Sequence, residues 1–107
     1  MDKTTNGHNM LWIDGDIVGL KIVNIMRDMY GSRLIYPVKD MTPLAIPEYY
    51  FVIFSIDGEE LDISCEFGDY VFAADSDKGD LFIEEIERKI QNVFYWNLDR
   101  NKSRIFQ

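Results

Sequence analysis

The sequence predicts one α+β domain in which an antiparallel β-meander of three to five strands packs against an N-terminal and a C-terminal helix. The chain has 107 residues, 47% of them hydrophobic, which is enough for a single packed core. Residues 49–74 show strand patterns, and residues 80–92 carry apolar side chains at helical spacing. We expect residues 1–9 to form a flexible tail and residues 10–107 to form the domain.

Residues 11–30 admit two interpretations. Asp14 or Asp16 would cap a helix whose apolar residues follow helical spacing up to a stop at Gly31. Alternatively, Asp14-Gly15 would be the turn of a hairpin. The polar residues of this segment continue one helical face, so we favour the helix.

The next strand is predicted from Arg33 to Val38. Pro37, Pro43 and Pro47 then mark an irregular connection, because proline removes a backbone donor and interrupts regular structure. The prediction therefore places the first strand of the sheet before a proline-rich link.

The meander itself is predicted in the centre of the chain. Tyr49 to Ile56 is an unbroken apolar run, as in a strand covered on both faces, and Asp57-Gly58 suits a tight hairpin turn. Glu60 to Phe67 alternates strictly, and Tyr70 to Ala74 forms the third strand. With the C-terminal helix these strands are expected to bury Phe51, Ile53, Leu61, Ile63, Cys65, Phe67, Phe72, Ile83, Ile86 and Ile90.

A C-terminal helix is predicted from Asp80 to Asn92. Asp80 is a suitable N-cap, and an apolar stripe begins at Phe82. The remaining segment, Tyr95 to Gln107, mixes aromatic and basic residues. We expect it to add an edge strand or to pack across the sheet.

The acidic residues are concentrated in one segment. Twelve acids and a single lysine lie between Asp57 and Glu87, so this segment has a net charge of −11 in a chain of −8 overall. Such a surface attracts a cationic partner, and it disfavours nucleic acid and anionic membranes. We expect a basic protein to bind the acidic face, which consists of Glu59, Glu60, Asp62, Glu66, Asp69, Asp75 and Asp77, with Tyr70 as an aromatic anchor.

Catalytic and metal-binding motifs are scarce in this sequence. The one histidine, His8, lies in the predicted tail, so Ser/His or Cys/His catalysis and a His/Cys zinc site are disfavoured. Asp75 to Asp80 resembles a calcium loop, but its glycine comes one position early and Ile86 stands where the bidentate glutamate belongs. No glycine-rich phosphate loop is present. We expect no catalytic residue, no metal and no cofactor.

The chain also lacks the marks of secretion or membrane insertion. Residues 17–29 are interrupted by charged residues and are too short for a span, and the first nine residues contain no apolar run. The lone Cys65 fits a reducing compartment. We therefore expect a cytoplasmic location.

In outline the chain resembles the small acidic immunity proteins that accompany bacterial nuclease toxins. The resemblance rests on size, charge, the run Tyr49 to Ile56, the turn Asp57-Gly58 and the acidic stretch Glu59 to Glu87; no specific motif is matched. It implies a non-catalytic protein that inhibits a toxin nuclease domain by covering its active site.

Three alternatives remain open. Inhibitors of nucleases encoded by phages, including DNA mimics, have the same outline. A metal-dependent hydrolase would use Glu60 and Asp62 with Asp75 or Asp77, because acids two residues apart on a strand share one face. An oligomeric scaffold or accessory domain would associate through aromatic residues, namely Trp12, Tyr49, Tyr50, Trp96 or Phe106.

Overall fold

The computed structural model describes residues 1–13, 21–41, 49–66 and 69–105. Six strands form one sheet in which every neighbouring pair is antiparallel. The elements are β1 (Asp2–Lys3), β2 (Asn9–Ile13), α1 (Lys21–Tyr30), β3 (Leu34–Asp40), β4 (Tyr49–Ile56), β5 (Glu59–Glu66), β6 (Asp69–Ala73) and α2 (Asp77–Ile105). Their order across the sheet is β1-β2-β6-β5-β4-β3. The α+β class is confirmed, but the sheet has more strands than the three to five predicted.

The hairpin between β4 and β5 sets the register of the sheet. Asp57 and Gly58 have φ values of 53° and 80°, as in the two-residue turns that suit the twist of a hairpin. This turn places Phe54 opposite Leu61, and directly opposed residues point to the same face. The predicted core positions Phe51 and Ile53 are therefore wrong: both lie on the opposite face and are half-buried.

One core lies between the sheet and the two helices. Phe54 and Phe72 are completely buried, and their rings meet edge to face at 6.1 Å. Of the predicted core residues, Leu61, Ile63, Phe72, Ile83, Ile86 and Ile90 are buried. Cys65 is half-buried, and Phe67 lies outside the described residues.

Helix α1 presents one apolar face to this core. Ile22, Met26 and Tyr30 recur every four residues and are buried, which is the spacing of a helical face. The helix ends at Tyr30 and Gly31 follows with φ of 55°, a left-handed conformation that glycine adopts without strain. The predicted stop is thus confirmed. The predicted caps Asp14 and Asp16, and the alternative turn Asp14-Gly15, lie outside the described residues.

Strand β3 begins close to the predicted position and is irregular. It spans Leu34–Asp40, and its register against β4 shifts between Ile35 and Lys39. Pro37, which follows a cis peptide bond, lies within the shifted stretch. Proline cannot donate to the strand ladder, which is why it is found at bulges and edges. Pro43 and Pro47 lie outside the described residues.

Helix α2 starts earlier and ends later than predicted. Ser76 precedes it, and the Ser76 hydroxyl accepts a hydrogen bond of 2.9 Å from the Gly79 N–H, so Ser76 is the N-cap. Asp80, the predicted cap, lies within the first turn. The helix continues to Ile105, so the expected edge strand beyond Tyr95 is also wrong.

The N-terminal residues take part in the sheet. Asp2 and Lys3 pair with Met10 and Asn9, and the Asn9 N–H donates to Asp80 Oδ1 at 2.7 Å. This contact fastens the first hairpin to the start of α2. The predicted flexibility of residues 1–9 concerns motion and stays a prediction.

The two helices also contact each other. The Tyr30 hydroxyl donates to Glu85 Oε2 at 2.7 Å, and the Tyr30 ring meets Phe82 edge to face at 5.7 Å. The pKa of Tyr30 is raised, mainly by partial burial and to a smaller extent by the hydrogen bond to Glu85. Within the described part of the chain, neither helix combines the length and apolarity needed to cross a bilayer.

Candidate functional site

The sheet has a second face, directed away from the core, which we call the open face. The strand register shows which side chains share this face. They are Met10 and Trp12 of β2, Asp69, Val71 and Ala73 of β6, Glu60, Asp62 and Ser64 of β5, and Phe51, Ile53 and Ser55 of β4. The buried apolar side chains of both helices belong to the core on the other face. On the open face Trp12 remains 51% exposed. The open face is therefore a mixed acidic and aromatic surface.

Three acids line a depression at one end of the open face. Its volume is about 100 Å³, and it is lined by Ile53, Glu60, Leu61, Asp62, Ala73 and Asp75. Asp62 stands between Ile53 on one neighbouring strand and Ala73 on the other. These apolar neighbours exclude water from one side of the carboxyl group.

The environment of Asp62 disfavours its charged form. Burial and, to a smaller extent, the negative charge of Asp75 raise the pKa of Asp62 to about 6. Both effects act in the same direction, because desolvation and a like charge each oppose ionisation. A cationic group placed in the depression would relieve both effects.

Trp12 and Asp69 form a second feature, further along the same face. Trp12 Nε1 donates a hydrogen bond of 3.0 Å to Asp69 Oδ2. This bond holds the exposed indole ring beside a carboxylate. The exposed face of an indole ring is a favourable place for a guanidinium or ammonium group.

The predicted acidic face is divided by the sheet. Glu60, Asp62, Asp69 and Asp75 lie on or beside the open face, and the backbone of Glu66 stands opposite Asp69. By contrast, the structure places three of the predicted residues elsewhere: Glu59, Tyr70 and Asp77.

Each of these three residues has a different neighbourhood. Glu59 stands opposite Ile56 on the core side and accepts a hydrogen bond from the Ser76 hydroxyl. Tyr70 stands opposite Cys65 and packs against the core, so it does not anchor a partner on the open face. Asp77 begins α2 and is exposed.

One group of side chains has the composition of a metal site. Single ligand atoms of His8, Asp77 and Asp80 lie within 4.8 Å of one another. His8 Nδ1 is 3.0 Å from Asp80 Oδ2, which places His8 against α2 and corrects the view that it has no ordered partner. This hydrogen bond raises the pKa of His8 and, together with the Asn9 N–H, lowers that of Asp80.

Both carboxylate oxygens of Asp80 already have hydrogen-bond partners within the protein. One oxygen accepts from the Asn9 N–H and the other contacts His8. The positive end of the helix dipole also favours the carboxylate and opposes a metal cation. These contacts therefore hold the first hairpin against the start of α2. The expectation that no metal binds stays a prediction.

Sequence reasoning missed Trp12 as the aromatic residue beside the acids. A signal was present, because Leu11-Trp12-Ile13 is a short apolar run of the kind that forms strands. The favoured helix, capped at Asp14 or Asp16, assigned no strand to residues 11–13. The pairing of Trp12 with Val71, from a distant part of the chain, could not be read from the local sequence.

Comparison of the chain with protein-family models, with curated proteins and with solved structures finds no match in any of the three. The function is therefore inferred from the geometry and electrostatics of the open face.

Proposed function

We propose that this protein is a non-catalytic inhibitor that binds a basic enzyme through its open face, in the way that immunity proteins neutralise bacterial nuclease toxins in the cytoplasm. The observation that carries the proposal is the depression in which Glu60, Asp62 and Asp75 converge. A basic side chain entering it would restore the ionised form of Asp62 and offset the repulsion between the three acids.

The distribution of charge within the fold supports a partner of opposite sign. The ion pairs His8–Asp80 and Arg33–Asp57 include none of the three acids of the depression. No ion pair among the described residues involves its three acids. Uncompensated carboxylates on one surface raise the rate at which a cationic protein associates, because the field acts before contact.

The shape of the surface supports a protein partner. The acids lie on the face of a sheet whose margins carry exposed apolar side chains, Trp12 at 51% and Ile35 at 56% exposure. A desolvated aromatic anchor beside charged residues is typical of protein interfaces. Catalysis by carboxylates would instead need a bound metal or an acid–base pair enclosed around a small substrate.

The proposal is tested by capturing the partner with the full-length chain, purifying it and measuring its activity. We expect a basic enzyme that is inhibited at a one-to-one ratio. The double variant Glu60→Lys with Asp62→Lys should slow association about ten-fold at low salt and flatten its salt dependence, while circular dichroism shows an unchanged fold. Between about 0.05 and 0.5 M salt the Debye length falls from roughly 14 Å to about 4 Å, so wild-type association should slow over that range.

A matched control separates the open face from overall charge. Glu84→Lys with Glu87→Lys reverses the same number of charges on α2, away from the open face. It should slow association far less than the open-face variant. An acidic partner, or equal slowing by the two double variants, would refute the proposed function.

The alternative of a metal-dependent hydrolase is tested separately. Calorimetry of the purified chain with calcium, magnesium and manganese should show no saturable site. Micromolar binding that Asp62→Asn abolishes would favour the hydrolase over the inhibitor.

A further inference from the structure

The turn of the first hairpin contains the dipeptide Asn6-Gly7, which plays no part in the proposed function. The Gly7 N–H donates a hydrogen bond of 3.0 Å to Thr4 O, and the Thr4 N–H donates one of 2.8 Å to His8 O. Gly7 has a φ value of 81°, the left-handed conformation that such hairpin loops give to glycine. Both residues of the dipeptide are exposed, so a chemically labile pair lies in contact with solvent.

An asparagine followed by glycine reacts with its own backbone when the chain is free to move. The Gly7 nitrogen attacks Cγ of Asn6, a C–N bond forms, and the side-chain nitrogen leaves as ammonia with the proton of the Gly7 N–H. Water then opens the cyclic imide at either carbonyl, which yields aspartate or isoaspartate. Glycine permits this ring closure because it has no Cβ, and no described atom lies within 4 Å of the place that a Cβ on Gly7 would take.

The closed turn holds the Gly7 nitrogen away from this reaction. Its N–H is donated to Thr4 O, and the nitrogen has to leave that bond and turn toward the Asn6 side chain before a C–N bond forms. The hairpin therefore has to open before Asn6 reacts. The rate of the reaction is then the rate in the open turn multiplied by the fraction of molecules whose turn is open.

Contacts with α2 oppose that opening. Asp80 accepts a hydrogen bond of 2.7 Å from the Asn9 N–H, and its other oxygen is 3.0 Å from His8 Nδ1. The Asn9 side chain donates a further hydrogen bond to Asp80 O. Because His8 and Asn9 directly follow the turn, these contacts limit the fraction of molecules in which the turn is open.

We infer that Asn6 is a deamidation site at which opening of the first hairpin limits the reaction, and that Asp80 controls this opening. The site involves none of the acids of the depression, so it does not depend on the proposed function. Isoaspartate passes the main chain through its Cβ and Cγ atoms and lengthens it ahead of Gly7. The lengthened turn no longer places the Gly7 N–H against Thr4 O, so the modified hairpin stays open.

The other asparagines of the described chain are poorer candidates. Asn6 is the only asparagine in the sequence that glycine follows. Asn9 precedes a methionine, is 3% exposed, and its side-chain amide is bound to Asp80 O. Asn24 lies within α1 and precedes a β-branched residue. Asn9 and Asn24 therefore serve as internal standards for the reaction at Asn6.

The dipeptide Asp57-Gly58 has a related sequence but a different environment. Arg33 donates hydrogen bonds to both carboxylate oxygens of Asp57. The hydrogen bond to Arg33 lowers the pKa of Asp57, and an ionised carboxylate is a poor target for a nucleophile. The fold therefore protects this turn by a tertiary contact that the Asn6 side chain lacks among the described residues.

The reaction is measured on the full-length protein at neutral pH. Digested samples are followed over time by liquid chromatography and mass spectrometry, which separate the asparagine, aspartate and isoaspartate forms of each peptide. The same chain unfolded in urea gives the rate without a hairpin. We expect Asn6 to react faster than Asn9 and Asn24 in the native protein, and at least about ten-fold more slowly there than in urea.

Variants of α2 test the control by Asp80. Asp80→Ala should raise the native rate at Asn6 about ten-fold, since hydrogen bonds to a charged group are lost, and should leave the rate in urea unchanged. Asp80→Asn keeps an acceptor for the Asn9 N–H and should give an intermediate rate. Glu84→Gln, the matched control on α2, should change neither rate. Unchanged amide exchange in β5 shows that a faster reaction does not come from global unfolding.

Three results would overturn the inference. Equal rates in the native and the unfolded chain would show that the hairpin does not limit the reaction. A native rate that Asp80→Ala leaves unchanged would remove Asp80 from its control. Absence of product at position 6 in both the wild type and Asp80→Ala, or faster reaction at another asparagine, would show that Asn6 is not the modification site.

Discussion

Replacing Asp62 by asparagine tests whether the depression on the open face penalises a negative charge. The pKa of this carboxyl is raised from 3.8 to about 6, chiefly by burial. The folded protein therefore holds the proton more tightly than the unfolded chain does. Ionisation of Asp62 destabilises the fold progressively as the pH rises from about 4 to about 6, and the loss is complete above that range. Asparagine has a similar shape and cannot ionise.

The magnitude follows from the size of this difference. A rise in pKa from 3.8 to about 6 would correspond to about 3 kcal/mol for a fully buried group. Asp62 is only half-buried, so solvent screening reduces the effect to about 1 kcal/mol. We expect Asp62→Asn to be more stable than the wild type by that amount at pH 7.5 and nearly equal to it at pH 4. The melting temperature at pH 7.5 should rise by roughly 4–8 °C.

Urea unfolding followed by circular dichroism at the two pH values measures the difference. The control is Glu84→Gln, which neutralises an exposed carboxylate on α2 and should change the free energy of unfolding by less than about 0.5 kcal/mol at either pH. A gain for Asp62→Asn that is the same at pH 4 and pH 7.5 would contradict the argument. So would a loss of stability at pH 7.5.

Three further predictions concern the fold. Phe54→Ala should lower the free energy of unfolding by about 3–5 kcal/mol, measured by chemical denaturation. Phe51→Ala should lower it clearly less, because Phe51 lies half-buried on the open face. Equal losses would show that the β4 register is wrong. Gly79→Ala should lower stability by about 1 kcal/mol, because its Cβ would lie 3.0 Å from the N-cap hydroxyl; an unchanged melting temperature would contradict this. The His8–Asp80 contact should stabilise the first hairpin at a pH between the lowered pKa of Asp80 and the raised pKa of His8, and it should weaken as the pH rises through the pKa of His8. Amide exchange of that hairpin, corrected for intrinsic rates, should therefore accelerate over this rise in the wild type but not in His8→Ala.

Local patterns were sufficient for the central meander. The dipeptide Asp57-Gly58 forms the expected tight turn, and the bounds of β4 agree with the predicted Tyr49 to Ile56. Strict alternation identified Leu61 and Ile63 as buried. These features depend on residues that are adjacent in the sequence, so they can be predicted without knowledge of the fold. The same turn also implied the pairing of Phe54 with Leu61, which would have excluded Phe51 and Ile53 from the core.

Helix bounds were less predictable, because two adjacent signals competed. Ser76 and Asp80 are both good caps, and the three-dimensional structure uses each differently. Ser76 caps α2, while Asp80 binds Asn9 and His8 from the first hairpin. A contact between residues more than 70 positions apart decides which acid or hydroxyl caps the helix, and local propensity carries no information about it.

The sequence by itself determined the class of fold, the meander and the concentration of negative charge, because composition, alternation and turn chemistry are local properties. Only the tertiary structure decided how that charge is divided. Each strand sends successive side chains to opposite faces, so Glu60 and Asp62 meet Asp75 on the open face while Glu59 and Tyr70 turn toward the core side. The same pairing brings Trp12 from the N-terminal part of the chain to Asp69, and the candidate binding surface exists only once these strands are side by side.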